Sequence, residues 1–210
     1  MRRDAAQNRR RLLDATGALL RTDASNISVP AVAERAGLSA ATAYRYFSSL
    51  DELLDDYLQT VIVALRDHSH DCPKRGTALF EDVASEWGRL VNIYGPAMVQ
   101  LRSRRGFLER LDAGDPTVVI VRDAWERPIR SVLRALNIPD EHFDHALFIY
   151  NLLFDPREIL DLQRRTGSTQ SSLSLLTSAY YAALTSFVKR SPLQSVTDDC
   201  SRPGEARGRS

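Results

Sequence analysis

The chain has 210 residues, of which 43% are hydrophobic and 26% charged, a composition typical of a globular protein with a buried core. Its two cysteines, Cys72 and Cys200, lie far apart and exclude a disulfide-stabilised scaffold. The net charge is only +1, but residues 1–50 hold eight arginines against four acidic residues. This basic N-terminal quarter indicates a polyanionic partner.

Apolar residues recur at spacings of three and four along most of the chain, which predicts an all-α fold. The first predicted helix starts near Asp4 and ends in the turn-forming residues 22–26. The second covers about 28–36, with Ser28 as its N-cap. Gly37 supplies the left-handed residue that closes this helix, and Ser39 caps a short third helix.

A longer fourth helix, about 49–68, begins with the capping-box pattern S-x-x-E. Its apolar stripe is wider than a three-helix unit needs, so we expect it to join two packing units. The later helices are predicted at 77–93, 96–111 (bent or broken near 103–106), 116–136, 140–165 and 171–189, with prolines near several starts and Pro156 kinking or splitting its helix.

This pattern divides the chain into a small helical unit at 1–50, a larger helical unit at 51–190 and a disordered tail at 191–210. The longest apolar stretch, 146–154, is too short to cross a bilayer, and no early apolar run is long enough for a signal peptide. We therefore expect a cytoplasmic protein without a membrane partner.

The first three predicted helices form a helix-turn-helix, in which the third helix presents small side chains to base edges in the major groove. Phosphate contacts would fix the register of the protein on DNA rather than read its sequence. The candidate DNA-binding residues are Arg3, Ser28, Ser39, Ala40, Ala41, Thr42, Tyr44 and Arg45.

The segments RRRLLDATGALL and SVPAVAERAGLSAATAYRYFSSLDELL resemble the DNA-binding domain of the TetR family of bacterial transcriptional regulators. The resemblance covers about residues 9–54. It implies that the third helix reads DNA, that Tyr44 contacts the backbone and that Phe47 anchors this helix in the core. It also implies a nucleoid-associated homodimer with a DNA-binding domain at 1–50. The variable helical domain at 51–190 would then be the ligand-binding and dimerisation domain, which senses a small molecule.

Some residues near this motif depart from the family pattern or have two interpretations. Leu50 stands where the family usually has a lysine that contacts phosphate, so that contact is missing here. Tyr46 either packs against the first or fourth helix or reads bases. The three arginines 9–11 form either a solvated helix face or part of the DNA footprint.

Two apolar sets in the C-terminal part suggest two functions. Five aromatic residues and one methionine in the helices after the fourth predict a cavity for an apolar or aromatic effector: Trp87, Tyr94, Met98, Phe107, Trp125 and Tyr150. Stripes on the last helices predict a dimer interface in an intersubunit four-helix bundle: Phe143, Leu147, Phe154, Leu176, Tyr180, Leu184 and Phe187. The alternative for these stripes is the intrachain core.

The sequence HSHDC holds possible metal ligands in His68, His70 and Cys72, but His68 and His70 are only two positions apart, which places them on different sides of a helix. We therefore predict no metal site and no cofactor. The sequence contains no phosphate-binding glycine loop and no nucleophile motif, so we also predict that the protein is not an enzyme.

These patterns favour a homodimeric repressor that binds a palindromic double-stranded DNA operator and is released by a small molecule. Two alternatives stay open at this stage. One is a DNA-binding dimer without an effector, and the other is a metal sensor that uses the HSHDC segment.

Overall fold

The computed structural model describes residues 2–22, 26–101 and 105–188, and the predicted tail at 191–210 lies outside them. The described residues form helices and no strand, so the all-α prediction is confirmed. The helices are α1 Arg2–Thr22, α2 Val29–Arg35, α3 Ala40–Tyr44, α4 Leu50–Asp71, α5 Gly76–Gln100, α6 Phe107–Asp112, α7 Pro116–Ala135, α8 Phe143–Leu153, α9 Pro156–Thr166 and α10 Thr169–Val188, with a short 3-10 helix at Asp140–His142. Among the described residues, no helix is long and apolar enough to span a membrane.

Helix α4 connects two hydrophobic cores. The smaller core lies among α1, α2, α3 and the start of α4, and Leu53 belongs to it. The next residue, Leu54, is fully buried in the larger core, which α4 forms with α5, α7 and the later helices. Leu50, at the first position of α4, packs against both cores. The start of α4 therefore fixes the small N-terminal unit against the rest of the chain.

A polar contact also joins these two parts. Tyr57 of α4 donates a hydrogen bond to Tyr94 of α5, with 3.1 Å between the hydroxyl oxygens, and their rings pack edge to face. Arg21, at the end of α1, donates to the same Tyr94 hydroxyl at 3.2 Å. The absence of a side chain at Gly17 makes this packing possible, because a Cβ there would lie 2.3 Å from the Tyr57 hydroxyl oxygen.

Helix α5 is longer than predicted because it runs through Pro96 instead of ending before it. A proline inside a helix removes the hydrogen bond to the carbonyl four residues earlier, here that of Asn92. Both Asn92 and Pro96 are exposed, so water can bind that carbonyl. The predicted boundary between 93 and 96 is therefore wrong.

The predicted helix at 140–165 is divided into α8 and α9, as the position of Pro156 suggested. Pro156 is the first residue of α9, where its missing N–H costs nothing. Asp155 is the N-cap, and its carboxylate accepts from the Arg157 amide at 2.9 Å. The division lets α8 pack on α7 and α10 while α9 packs on α5 and α10.

We expect Gly17→Ala to lower the free energy of unfolding by about 1–3 kcal/mol, because the added methyl overlaps the Tyr57 ring. Helix propensity alone predicts the opposite sign, a gain of about 1 kcal/mol. Urea denaturation measures the difference. A stabilised G17A variant would contradict the close packing of Tyr57 on α1, and Gly106→Ala, which adds a methyl in open space, is the control.

Candidate nucleic-acid interface and ligand cavity

The turn between α2 and α3 is built by local side-chain caps. The Ser28 hydroxyl accepts a hydrogen bond from the Ala31 amide at 3.3 Å and so caps α2. Gly37 adopts a positive φ of 67°, a conformation that favours glycine. The Ser39 hydroxyl accepts from the Thr42 amide at 3.2 Å and caps α3. These contacts set the angle between the two helices of a helix-turn-helix.

Helix α3 presents a small, polar surface to solvent. Ser39, Ala41, Tyr44 and Arg45 are exposed, whereas Ser28, Ala40 and Thr42 are half-buried. The Tyr44 side chain is 50% exposed. Ala43 and Phe47 on the other side are fully buried and hold the short helix on the small core. The helix ends at Tyr44.

Two residues next to this surface serve the fold. Tyr46 is half-buried and packs against the small core. This agrees with a packing role rather than with base reading. Leu50, where the family usually has a lysine, is half-buried between the two cores. The chain therefore has an apolar packing residue at the position of the missing phosphate contact.

Two of the three arginines at 9–11 make contacts within the chain. Arg9 forms an ion pair with Asp56 of α4 and lies over the Phe47 ring, 5.6 Å from its centre. Arg11 donates to the Ala36 carbonyl at 2.5 Å and so connects α1 to the turn. Arg10 is exposed. The side chain of Arg3, a predicted DNA contact, lies outside the described residues.

Residues 12–57, which cover this helix-turn-helix, match the family model of the bacterial regulatory proteins of the tetR family. This N-terminal domain belongs to the TetR family. A domain of this type makes the protein a DNA-binding transcriptional regulator.

The chain is also similar to a solved structure, a TetR family transcription regulator from Marinobacter aquaeolei VT8, with 20% sequence identity and a TM-score of 0.42. The match covers 88% of this chain and 98% of the other. The sequence matches no curated protein.

Behind the TetR-type domain, a cavity of about 170 Å³ lies among α4, α5, α7 and the junction of α8 and α9. Four predicted pocket residues, Trp87, Met98, Trp125 and Tyr150, line it. The rings of Trp125 and Tyr150 pack with 3.9 Å between their centres. The Trp87 indole N–H is already used, because it donates to the Phe154 carbonyl at 2.9 Å. The aromatic surface of the cavity is therefore mainly apolar.

The other two predicted pocket residues lie outside the cavity lining. Tyr94 is buried and its hydroxyl bonds to Arg21 and Tyr57, so it connects α5 to α1 instead. Phe107 is half-buried against the larger core. Sequence reasoning also missed Leu58, Ile62 and Leu65, which line the cavity from α4, because an apolar stripe does not reveal which residues border a void.

The cavity lining also contains polar groups. They include Asp55, Thr117 and Arg110, whose guanidinium donates to Asp115 at 2.9 Å. Burial raises the pKa of Asp55, and the carboxylates of Asp115 and Asp56 add to the effect, while Arg110 opposes it. Mostly apolar walls with a few polar groups are typical of small-molecule sites. The volume of about 170 Å³ lies below the usual range of about 300–1,000 Å³ and limits the ligand to a small one.

The structure corrects the predicted dimer interface. Phe143, Leu147, Phe154, Tyr180 and Leu184 are buried inside the chain's own core, and Leu176 is half-buried against it. Side chains used in this way leave almost no surface for a partner. The Phe187 side chain lies outside the described residues. The exposed apolar residues of these helices are instead Phe148 at 38%, Leu152 at 53% and Leu175 at 56%.

The two histidines of the HSHDC segment point to different helices. His68 bonds to Asp82 of α5 at 2.8 Å, and His70 lies 3.2 Å from Asp123 of α7. Cys72 is buried and free. Among the described residues, no group of three or more histidine, cysteine, aspartate or glutamate side chains is arranged to hold a metal ion. The structure thus gives the metal-sensor alternative no support.

Arg11 contacts the turn, whereas Arg45 is exposed. Their substitution should therefore affect different properties, stability for Arg11 and DNA binding for Arg45. Arg11→Ala should lower the free energy of unfolding by roughly 1 kcal/mol, because it removes a charged hydrogen bond to the turn. Arg45→Ala should leave unfolding unchanged but weaken DNA binding and lower the salt slope by about 1. Urea denaturation and fluorescence anisotropy on DNA fragments selected by the wild type measure both. Unchanged DNA affinity of R45A would remove Arg45 from the interface.

Proposed function

We propose that the protein is a homodimeric repressor that binds a palindromic operator and releases it when a small apolar or aromatic molecule enters the cavity. The exposed face of α3 carries the proposal, because it combines small side chains at 39–42 with Tyr44 and Arg45 beside them. Small residues let the helix approach base edges, and the two larger side chains reach phosphates on the groove wall.

A palindromic operator requires two copies of α3 in successive major grooves, about 34 Å apart. The support for a dimer comes from the outer surfaces of α8 and α10. Phe148 and Leu152 are exposed one turn apart on α8, and Leu175 is exposed on α10. Several other exposed residues of α10 are small, including Ser178, Ala179 and Ala182, so a second helix can approach closely. We assign the interface to this surface, in place of the buried stripes.

The cavity and the DNA-binding domain share α4. Leu58, Ile62 and Leu65 line the cavity, while Leu53, earlier on the same helix, is buried in the small core. A ligand that displaces α4 therefore moves the base of the TetR-type domain. The hydrogen bonds of Tyr94 to Tyr57 and Arg21 link the same elements. The ligand shifts the population toward dimers whose two α3 helices no longer fit the operator.

The alternative is a DNA-binding dimer without an effector, and a cavity-filling variant distinguishes the two. A thermal-shift screen of small aromatic compounds first identifies a molecule that stabilises the wild type. Val121→Trp, which fills the cavity lining, should abolish that stabilisation and the release of DNA. Val119→Trp, on the exposed side of the same helix, is the matched control and should respond like the wild type.

Failure of every compound to stabilise the wild type would favour the alternative. Equal responses of V121W and V119W to a stabilising compound would place its site outside the cavity. Either result leaves the DNA-binding part of the proposal intact, because α3 is not changed in these variants.

The dimer interface has a separate test. Phe148→Asp and Leu152→Asp should convert the dimer to a monomer, because a buried unpaired charge is costly at an interface. Leu108→Asp changes an exposed apolar residue of α6 in the same way and should stay dimeric. Analytical ultracentrifugation measures the state. If F148D and L152D remain dimers with wild-type affinity, the interface lies elsewhere.

A further inference from the structure

A cleft of about 880 Å³ opens where the loop after α4 meets α7. It is separate from the apolar cavity and lies at the end of α4 away from the DNA-binding domain. Since α4 has 22 residues, it is about 33 Å long. Four of the twelve residues that line the cleft are basic, Lys74, Arg75, Arg127 and Arg134, and one, Asp71, is acidic.

The charges of two of these residues are available. Arg75 and Arg134 are exposed, and within the described parts of the chain neither side chain has an ion pair or hydrogen bond. Lys74 is different, because it pairs with Asp82. The arginines around the cleft also differ from Arg130 nearby on α7, which is paired with both Glu126 and Asp140. Unneutralised positive charge is therefore concentrated in the cleft.

Arg127 donates hydrogen bonds to backbone carbonyl groups that would otherwise repel an anion in the cleft. Its guanidinium donates to the carbonyls of His70 at 3.2 Å and Cys72 at 2.7 Å, and also to those of Ser69 and Lys74. The negative ends of these peptide dipoles are thus already satisfied. The guanidinium keeps its full positive charge at the cleft wall.

A buried hydroxyl adds a neutral donor to the lining. Ser131 is 7% exposed, and its oxygen accepts from the Gly76 amide at 2.6 Å. Within the described residues its own O–H has no acceptor. Guanidinium groups and a hydroxyl donor together match the oxygens of phosphate or carboxylate groups. The concave shape and the volume fit a small molecule, since such sites usually measure about 300–1,000 Å³.

We propose that this cleft binds a small, multiply charged oxyanion that carries phosphate or carboxylate groups. Arg75 and Arg134 bind its oxygens, and Arg127 and Ser131 form the wall behind them. The site is independent of the apolar cavity, so the regulator has two places for small molecules of opposite chemistry.

Isothermal titration of the full chain with pyrophosphate and with citrate tests the proposal and distinguishes phosphate from carboxylate as the preferred group. Low ionic strength limits screening of the exposed charges. The double variant Arg75→Gln/Arg134→Gln should weaken binding of the preferred probe about tenfold or more, because two charged donors are lost. Its thermal melting should match the wild type, since neither side chain has an intrachain partner in the described residues.

The double variant Arg164→Gln/Arg165→Gln is the matched control, because it removes two positive charges from the end of α9. It should bind both probes like the wild type. The proposal is overturned if the wild type binds neither probe, or if the two double variants lose affinity equally. Binding of an oligoglutamate peptide but of neither small probe would assign the cleft to an acidic protein segment and would also overturn it.

Discussion

The burial of consecutive residues of α4 in two different cores is the constraint on which the rest of the structure depends. Leu53 faces the small core of the DNA-binding domain, and Leu54 faces the large core. No loop separates the two, so the small domain has little freedom to rotate on its own. Any rearrangement of the large core that turns α4 must also turn Leu53 and the helices packed on it. Regulation from a distance needs such a rigid connection between two packed regions.

The hydrogen bond between the hydroxyl groups of Tyr57 and Tyr94 fixes the relative position of the connected helices. Hydrophobic contacts tolerate small sliding movements, whereas a hydrogen bond of 3.1 Å between two buried hydroxyls requires one relative position of α4 and α5. Arg21 extends the same requirement to α1. Burial raises the pKa of Tyr57, and the hydrogen bond to Tyr94 adds to the effect, so the group stays a neutral donor. The three helices are therefore held in one arrangement by polar geometry as well as by packing.

The N-terminal part could be predicted from the sequence because its determinants are local. Ser28, Gly37 and Ser39 act within three residues of themselves, and a cap or a turn is visible in the residue types. The C-terminal part could not be predicted to the same degree. In α8 the neighbours Leu147 and Phe148 are both apolar, yet one is buried and the other exposed. When a helix has apolar residues on both faces, its sequence does not show which face packs inside the same chain. The prediction that Tyr94 lines the cavity was wrong for a related reason, because its hydrogen-bond partner Arg21 is distant in sequence.

The shortness of α3 has a consequence for the dynamics of the regulator. Five residues cannot form a stable helix in isolation, so α3 exists only while Ala43 and Phe47 are packed in the small core. The recognition surface and that core should open together as one cooperative unit, with the same free energy for amide hydrogen exchange. Substitutions of residues buried in the small core would then impair DNA binding at temperatures where the helices of the larger core are still folded. The affinity of this protein for DNA would then depend in part on local folding.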